Sequence, residues 1–451
     1  MSSLAEHAFE ALWRTIRSTN CSEFIVAFSG GRDSSALLHI AADFAREAGT
    51  GLLALHVDHG LHDDSGAWAE HCQLFASALG VAFKVARIGA RPPPGASVEA
   101  WARQHRYARL ADEMAPTGCV LTAHHADDQA ETVLQRVLSG AGPHGLAAMR
   151  ELRTLRDGHL ARPLLHCSAS MVDQYARQHD LNWVDDPSNR DPRYLRNRLR
   201  GKLLPLLETT YPGTSLGLQR LATIQASVAD ALDLQCDEVL GLGDAPRHQL
   251  SLASIRACAP GLRAFLIRRA ILRAGLNLAG ERHLHEITRR LCPARIDASP
   301  IVSWAGNEVR RYRDVLYFMR RHEFEAPSEP LPWLPNSELR LPWGVLRATP
   351  GFGQALDTKR MVGRKIEVVF RRGGERCRPL GRGHEHRLKK LFQEYAIPPW
   401  ERALHPLIYV DGQLAAVASL FVCEDFAADE GDKGLVLEWH PAFYVGDTAL
   451  T

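Results

Sequence analysis

The chain reads as an α/β protein: a parallel-sheet domain first, a mainly helical domain next, and a small α+β domain at the carboxy end. Two observations predict this. Between residues 24 and 140, apolar strand-like runs and helix-like stretches take turns, the pattern of a parallel sheet covered by helices on its faces. Polar clusters also stand at the carboxyl ends of three of those runs, where such sheets gather their ligands.

The strand-like runs are FIVAF (24–28), LLALHVD (52–58), VAFKVARI (81–88) and CVLTAHH (119–125), with helix-like stretches near 34–48, 64–79, 97–114 and 127–139. The first block is expected to occupy 1–215. From 216 to 325 the chain looks helical, with LGLQRLATIQASVADALDL, GLRAFLIRRAILRAGL and ERHLHEITRRLC all apolar at helical spacing. That block ends in PIVSWAGNEVRRYRDVLYFM, expected to form a hairpin turning at Gly306-Asn307. A Pro-rich passage at 326–338 reads as a linker. The last block, 339–451, carries strand-like KIEVVF (365–370), helix-like HRLKKLFQEYA (386–396) and a hairpin turning at Asp411-Gly412.

Composition narrows the function. A chain of 451 residues, 45% hydrophobic and 24% charged, is an ordinary globular protein of two or three domains. A net charge of +2 excludes a uniformly basic coat, so any nucleic-acid surface must be a local patch. No run approaches the ~18 apolar residues of a membrane span, and the start Met1-Ser2-Ser3-Leu4 has no basic segment before an apolar core. The nine cysteines stand singly, with no CxxC, which reads as reduced thiols in a cytoplasmic protein.

The stretch SGGRDSS (29–35) follows a strand and opens a helix. Gly30 and Gly31 let backbone N–H groups approach phosphate, Ser29, Ser34 and Ser35 add hydroxyls, and a helix N-terminus favours negative charge. The lysine of a GxxxxGK[ST] loop is missing. Asp33 in such a loop makes sense where a metal ion stands between it and the phosphates.

A second cluster lies in HHADDQAE (124–131). On a helix beginning near Ala126, Asp128 and Glu131 share one face, which suits a Mg²⁺ shared with a nucleotide or, as the plainer alternative, an acidic helix start. His124 and His125 have no further His or Cys at zinc-ligand spacing. The segment NRDPRYLRNRLRGK sets Arg190, Arg193, Arg196, Arg198, Arg200 and Lys202 against Asp191 alone, as RNA or phosphate contacts require.

SGGRDS placed between strand and helix resembles the pyrophosphate (PP) loop of the Rossmann-like ATP pyrophosphatase superfamily. VDHGL (57–61), VEAWARQHRYARL (98–110), HHADDQAETVL, GAGPHGLAAM (140–149), RPLL (162–165), WVDDPSNRDPRYLRNRLRGKLLPLL (183–207) and RPLGRGHEHRLKKLFQEYAIPPWERALHPLIYVDGQ (378–413) together resemble the bacterial tRNA(Ile)-lysidine synthetases over nearly the whole chain. Two details depart from that pattern: His62 stands where an Arg is common, and Ser168-Ala169-Ser170 where Ser-Arg often follows RPLL.

The resemblance implies a ligase that uses ATP, Mg²⁺ and free lysine to convert the wobble cytidine of the CAU-anticodon isoleucine tRNA to lysidine through an adenylated intermediate. It implies Asp33, Asp128, Glu131 and Arg196 or Arg198 as catalytic groups. Ser29, Gly30, Gly31, Arg32, Asp33, Ser34, Ser35, Asp58, His59 and His124 are expected at the nucleotide, and Asp33, Asp128 and Glu131 at the metal. Arg103, Arg106, Arg193, Arg196 and Arg200 are expected at the RNA, with Arg387, Lys389 and Lys390 on a distant part of it. Within the superfamily, sulfur-inserting enzymes typically carry paired cysteines, which this chain lacks. The sequence leaves a homodimer open.

Overall fold

The structure is a computed structural model. It describes residues 3–60, 64–93, 95, 98–185, 195–241, 246–295, 298, 300–335, 337–352, 355–429 and 431–444. Its contacts divide into two compact units, Met1–Ala231 and Leu232–Thr451.

In the first unit the elements run α1 (Leu4–Thr19), β1 (Glu23–Ala27), α2 (Arg32–Ala48), β2 (Gly51–Asp58), α3 (Ser65–Ala78), β3 (Ala82–Arg87), α4 (Val98–Asp112), β4 (Cys119–Leu121) and α5 (Ala126–Leu138). They continue as α6 (Pro143–Leu146), β5 (Leu152–Leu155), β6 (Gly158–Ala161), α7 (Ala169–Gln178) and α8 (Leu195–Arg198). A π-helical turn (Leu199–Leu203) leads into α9 (Leu204–Thr210), and α10 (Thr214–Gly241) begins in this unit and ends in the second.

One six-stranded sheet, ordered β3-β2-β1-β4-β6-β5, organises this unit. All its pairs are parallel except β5 with β6, so β5 is an antiparallel edge. Both faces are covered, which is why its strands read as continuous apolar runs. Phe24 and Val26 of β1 pack with α1, α2 and α7, whereas Ile25 packs with Leu110 of α4 and Val120 of β4. Phe44 of α2 anchors the first face, edge-on to Phe9, Trp13 and Phe24 at centroid distances of 5.3, 5.1 and 6.1 Å.

Strand β4 ends at Leu121, four residues short of the sequence expectation. Beyond it the backbone leaves the ladder and turns towards α5, so that the Ala126 N–H donates to Cys167 O at 2.8 Å. α1 was not expected, although Ser3 and Glu6 form a capping box at its start.

In the second unit, helices spanning Leu252–Ala257, Arg263–Arg273 and Glu281–Glu286 share a core with the antiparallel strands Gln249–Ser251, Ile301–Trp304, Asn307–Tyr312 and Val315–Arg320. The first hairpin turns at Ala305-Gly306, one residue before the expected place. The carboxy-terminal part holds a five-stranded and a three-stranded sheet around helix Leu388–Glu394. Its hairpin turns at Asp411-Gly412 as expected, both at positive φ (48° and 81°). The Pro-rich passage is packed rather than loose: Leu331–Pro332 pairs with Val368 and Glu367, and Trp333 is buried.

Candidate active site

The strand order reverses at β1: the chain moves outward through β2 and β3, then returns to place β4 on the other side. A crevice opens at such a switch point, beyond the strand carboxyl ends. The loop after β1 is Phe28 to Gly31, and the turn after β4 is Thr122 to His125. Both polar clusters expected from the sequence therefore meet there.

The β1 loop is shaped to receive an anion. Gly30 sits at φ +82°, its carbonyl accepts the Val184 N–H at 2.9 Å, and a Cβ there would lie 2.8 Å from Cys72 Sγ. Gly31 is the N-cap of α2 and gives the helix no side-chain cap, which leaves first-turn N–H groups for a bound anion. Ser34 Oγ donates to Gly31 O at 2.9 Å and lies 3.0 Å from Ser29 Oγ. Ser35 is fully buried, and its Oγ has no hydrogen-bond partner among the described residues. Arg32 bridges two acids, Asp33 Oδ1 at 2.9 Å and Asp173 Oδ1 of α7 at 3.2 Å.

Across the crevice, the buried His125 lies among three aspartates. Its Nε2 is 3.6 Å from Asp33 Oδ2 and 3.6 Å from Asp128 Oδ2, and its Nδ1 is 3.6 Å from Asp127 Oδ2. Its backbone N–H donates to Asp128 Oδ2 at 3.1 Å, closing the start of α5. Burial disfavours a charged imidazole here, but Asp33, Asp128 and Asp127 outweigh it and raise the His125 pKa. Burial likewise opposes ionisation of Asp33 and Asp128, yet His125 with Arg32, and His125 with Arg196, hold the two carboxyls below their ordinary value.

The neighbouring His124 is the expected nucleotide contact, and it differs sharply. Its Nδ1 lies 2.9 Å from Thr122 Oγ1, and burial, with Arg162, Arg196 and Arg103 acting in the same direction, pushes its pKa down to about 3. It is a neutral imidazole. His59 is similar: burial and then Arg106 push it to about 4, and its Nδ1 is buried without a partner among the described residues. Asp58 accepts the Gly60 N–H at 2.8 Å and shapes that turn.

Asp128 and Glu131 do share a face of α5, but their partners are arginines. Arg196 donates through NH2 to Asp128 Oδ1 at 2.6 Å and through Nε to Glu131 Oε2 at 2.7 Å. Arg200, one turn on, donates to Asp128 Oδ1 at 2.8 Å and to Glu131 Oε1. This corrects the expected metal trio. Both Glu131 oxygens and Asp128 Oδ1 are held by guanidinium groups, and Asp128 Oδ2 by the His125 backbone. Asp33, Asp128 and Glu131 as arranged here do not fit a divalent cation, and among the described residues no group of three His, Cys, Asp or Glu side chains does.

It also refines the arginines. Arg196 is the one brought to the carboxylates, while Arg198 is exposed and is not joined to them. Arg200, expected at the RNA, is also part of this cluster. Arg190 and Arg193, like His62 of the earlier motif, lie outside the described residues. Arg103 is exposed and Arg106 half-buried, their guanidinium carbons 5.1 and 6.0 Å from the Tyr107 ring centroid. Arg387, Lys389 and Lys390 are exposed at the start of helix Leu388–Glu394 in the second unit.

Asp173 is the site residue that the sequence does not single out; the sequence offers His125, with His124, as a substrate or phosphate contact, and Asp127 as an acid at the start of a helix.

Comparison with known proteins agrees with this geometry. Residues 4–207 match a PP-loop domain, 250–317 a TilS substrate binding domain and 366–439 a TilS substrate C-terminal domain. The tRNA(Ile)-lysidine synthase of Methylococcus capsulatus is 37% identical over 425 residues, 93% of this chain and 97% of that protein. Those of Coxiella burnetii (36%, covering 94% of each chain) and Alkalilimnicola ehrlichii (39%, covering 93% of this chain and 94% of the other) are similar over the same span. The chain belongs to the tRNA(Ile)-lysidine synthase family.

Proposed function

We propose that this chain ligates free L-lysine to C2 of cytidine 34 in the isoleucine tRNA with a CAU anticodon, releasing pyrophosphate and AMP. One observation carries the reading most: an uncapped glycine loop and a buried Asp–His–Arg cluster face the same crevice, bridged by Asp33 and His125. It is a cytoplasmic reaction, in keeping with thiols that are all unpaired.

In the first step the cytosine O2 attacks the α-phosphorus of ATP, an O–P bond forms, and pyrophosphate departs. Such in-line transfer needs positioning and charge neutralisation above all. Gly30, Gly31 and the first turn of α2 would hold the departing phosphates, with Ser29, Ser34 and Ser35 supplying hydroxyls. His125, whose pKa the surrounding aspartates raise, lies between Asp33 and Asp128 and offsets the repulsion of these carboxylates for the phosphates. Mg²⁺ is expected to arrive with the nucleotide; no step here is routed through it.

In the second step the lysine ε-amine attacks C2, the C2–O bond breaks, and AMP leaves. The amine must first shed a proton, since free lysine titrates near 10.4. Asp128 and Glu131 form an anionic pair already engaged with two cations. A substrate ammonium would compete with Arg200, whose side chain is 47% exposed against 33% for Arg196. The displaced carboxylate then binds the ammonium and accepts its proton. Arg387, Lys389 and Lys390 would dock a distant part of the same tRNA.

The experiment omits lysine. With [α-³²P]ATP and the CAU isoleucine tRNA, the reading predicts pyrophosphate release and label retained on the tRNA as AMP, discharged on adding lysine. Release of inorganic phosphate from the γ position, with no labelled tRNA, would contradict it.

A further inference from the structure

A basic surface beside the crevice is unused by the chemistry above. It is built on β5, an edge strand whose central residues Arg153 and Thr154 are exposed. The Arg153 guanidinium lies 5.4 Å from the centroid of the Tyr107 ring, on which Arg103 and Arg106 also converge. Arg162 is 3% exposed and donates through NH1 to Arg150 O at 2.6 Å. Its guanidinium and the buried Tyr107 hydroxyl interact with each other, and the other three arginines stand around that pair.

None of Arg103, Arg153 and Arg162 has an ion pair among the described residues, and Glu151 and Asp112 are engaged with other cations. Glu151 holds Arg14 and His166, and Asp112 holds Arg156. Guanidinium groups gathered on one aromatic ring repel one another unless an anion is shared. The patch adjoins the crevice, because Arg162 directly follows β6, whose Ala161 O accepts the Thr122 N–H at 3.1 Å where the chain leaves β4 for the crevice.

We infer that Arg153 and Arg103, their guanidinium carbons 5.4 and 5.1 Å from the Tyr107 ring centroid, grip a backbone phosphate of the RNA whose base enters the crevice. The inference rests on the tRNA-modifying function proposed above. A phosphate here could come from the RNA or from the nucleotide, and the topology favours the RNA. β5 lies two strands beyond β4 and three beyond β1, about 14 Å from the phosphate loop that follows β1, at ~4.8 Å per strand. A nucleotide gripped after β1 is remote from it, whereas a polymer threading the crevice passes over it. The exposure of both arginines fits a backbone contact rather than base reading.

The test measures binding of a CAU anticodon stem-loop RNA, and separately of ATP and of pyrophosphate, to the full chain and to its Arg153→Ala and Arg153→Lys variants across a salt series. Loss of one phosphate contact should lower the slope of log K against log[salt] by about 0.7–0.9, a five- to eightfold loss of affinity at 0.1 M salt. Arg153→Lys should recover most of it, and ATP and pyrophosphate binding should not change. Unchanged RNA binding by Arg153→Ala overturns the inference, as does a loss confined to ATP or pyrophosphate. Lysidine formation by the unmodified chain is read in parallel. If the chain makes no lysidine, the proposed function fails while the RNA-binding arm still reads; if it does and Arg153→Ala binds RNA normally, only this inference fails.

Discussion

Arg196 reaches two carboxylates at once, its NH2 2.6 Å from Asp128 Oδ1 and its Nε 2.7 Å from Glu131 Oε2. Glu131 is 2% exposed, and the second cation on it, Arg200, is the more exposed arginine. The pair is therefore asymmetric. Glu131→Ala leaves two guanidinium groups short of a partner and should cost about 3 kcal/mol, by the usual penalty for breaking a buried pair from one side. Arg200→Ala leaves Arg196 on both acids and should cost less than about 1 kcal/mol. Urea unfolding of the two variants checks this; equal losses would mean that the cluster does not depend on Arg196 as described.

Gly30 is constrained twice, by φ +82° and by Cys72 Sγ at 2.8 Å from any added Cβ. Gly30→Ala should cost at least about 1 kcal/mol from backbone conformation alone, and nucleotide binding should weaken with it. Removing the sulfur with Cys72→Ala relieves the clash but not the dihedral. The double variant should then lose less stability than the two single losses added together. Strict additivity, measured by the same unfolding assay, would show that the contact is immaterial.

The His125 pKa is raised above its ordinary 6.5 by the surrounding aspartates, against the opposing effect of burial. A group with a raised pKa stabilises the fold fully below its unfolded value and loses that contribution as pH climbs through the folded one. The gap in stability between the unmodified chain and His125→Gln should therefore shrink from pH 6 upward. The lowered pKa values of Asp33 and Asp128 work at the other end, their contribution falling away only as the solution becomes more acidic than about 3.8. A gap that widens between pH 6 and pH 8 in denaturant titrations would contradict the charge placement.

Lys389 and Lys390 are exposed, and Lys390 lies 4.0 Å from Glu394. Replacing both by Glu should weaken binding of intact tRNA and flatten its salt dependence, while binding of an isolated anticodon stem-loop stays the same. If both RNAs were affected alike, these lysines would not serve a distant docking site.

Much of this was legible in the residues. The alternation from 24 to 140 fixed a parallel sheet because strands buried on both faces must be apolar throughout, and β1, β2 and β3 fall within a residue of their expected ends. The i, i+3 spacing put Asp128 and Glu131 on one face before any coordinates existed. What they touch was not legible, since carboxylates facing a crevice suit a cation of either kind. Only the approach of the α8 segment shows that Arg196 and Arg200 fill that place. Adjacent histidines were equally ambiguous: the chain's exit from β4 decides that His125 enters the aspartates while His124 turns to Thr122. Arg153 escaped notice because β5 and β6 are four residues each, too short for a periodic signal.

The most direct measurement is nucleoside mass spectrometry of purified isoleucine tRNA with a CAU anticodon after incubation with the protein, ATP, Mg²⁺ and lysine, beside an elongator methionine tRNA. The account predicts that cytidine 34 of the isoleucine tRNA alone gains one lysine with loss of one water. Active, nucleotide-binding protein that leaves that cytidine unchanged, or that adds sulfur instead, would contradict it.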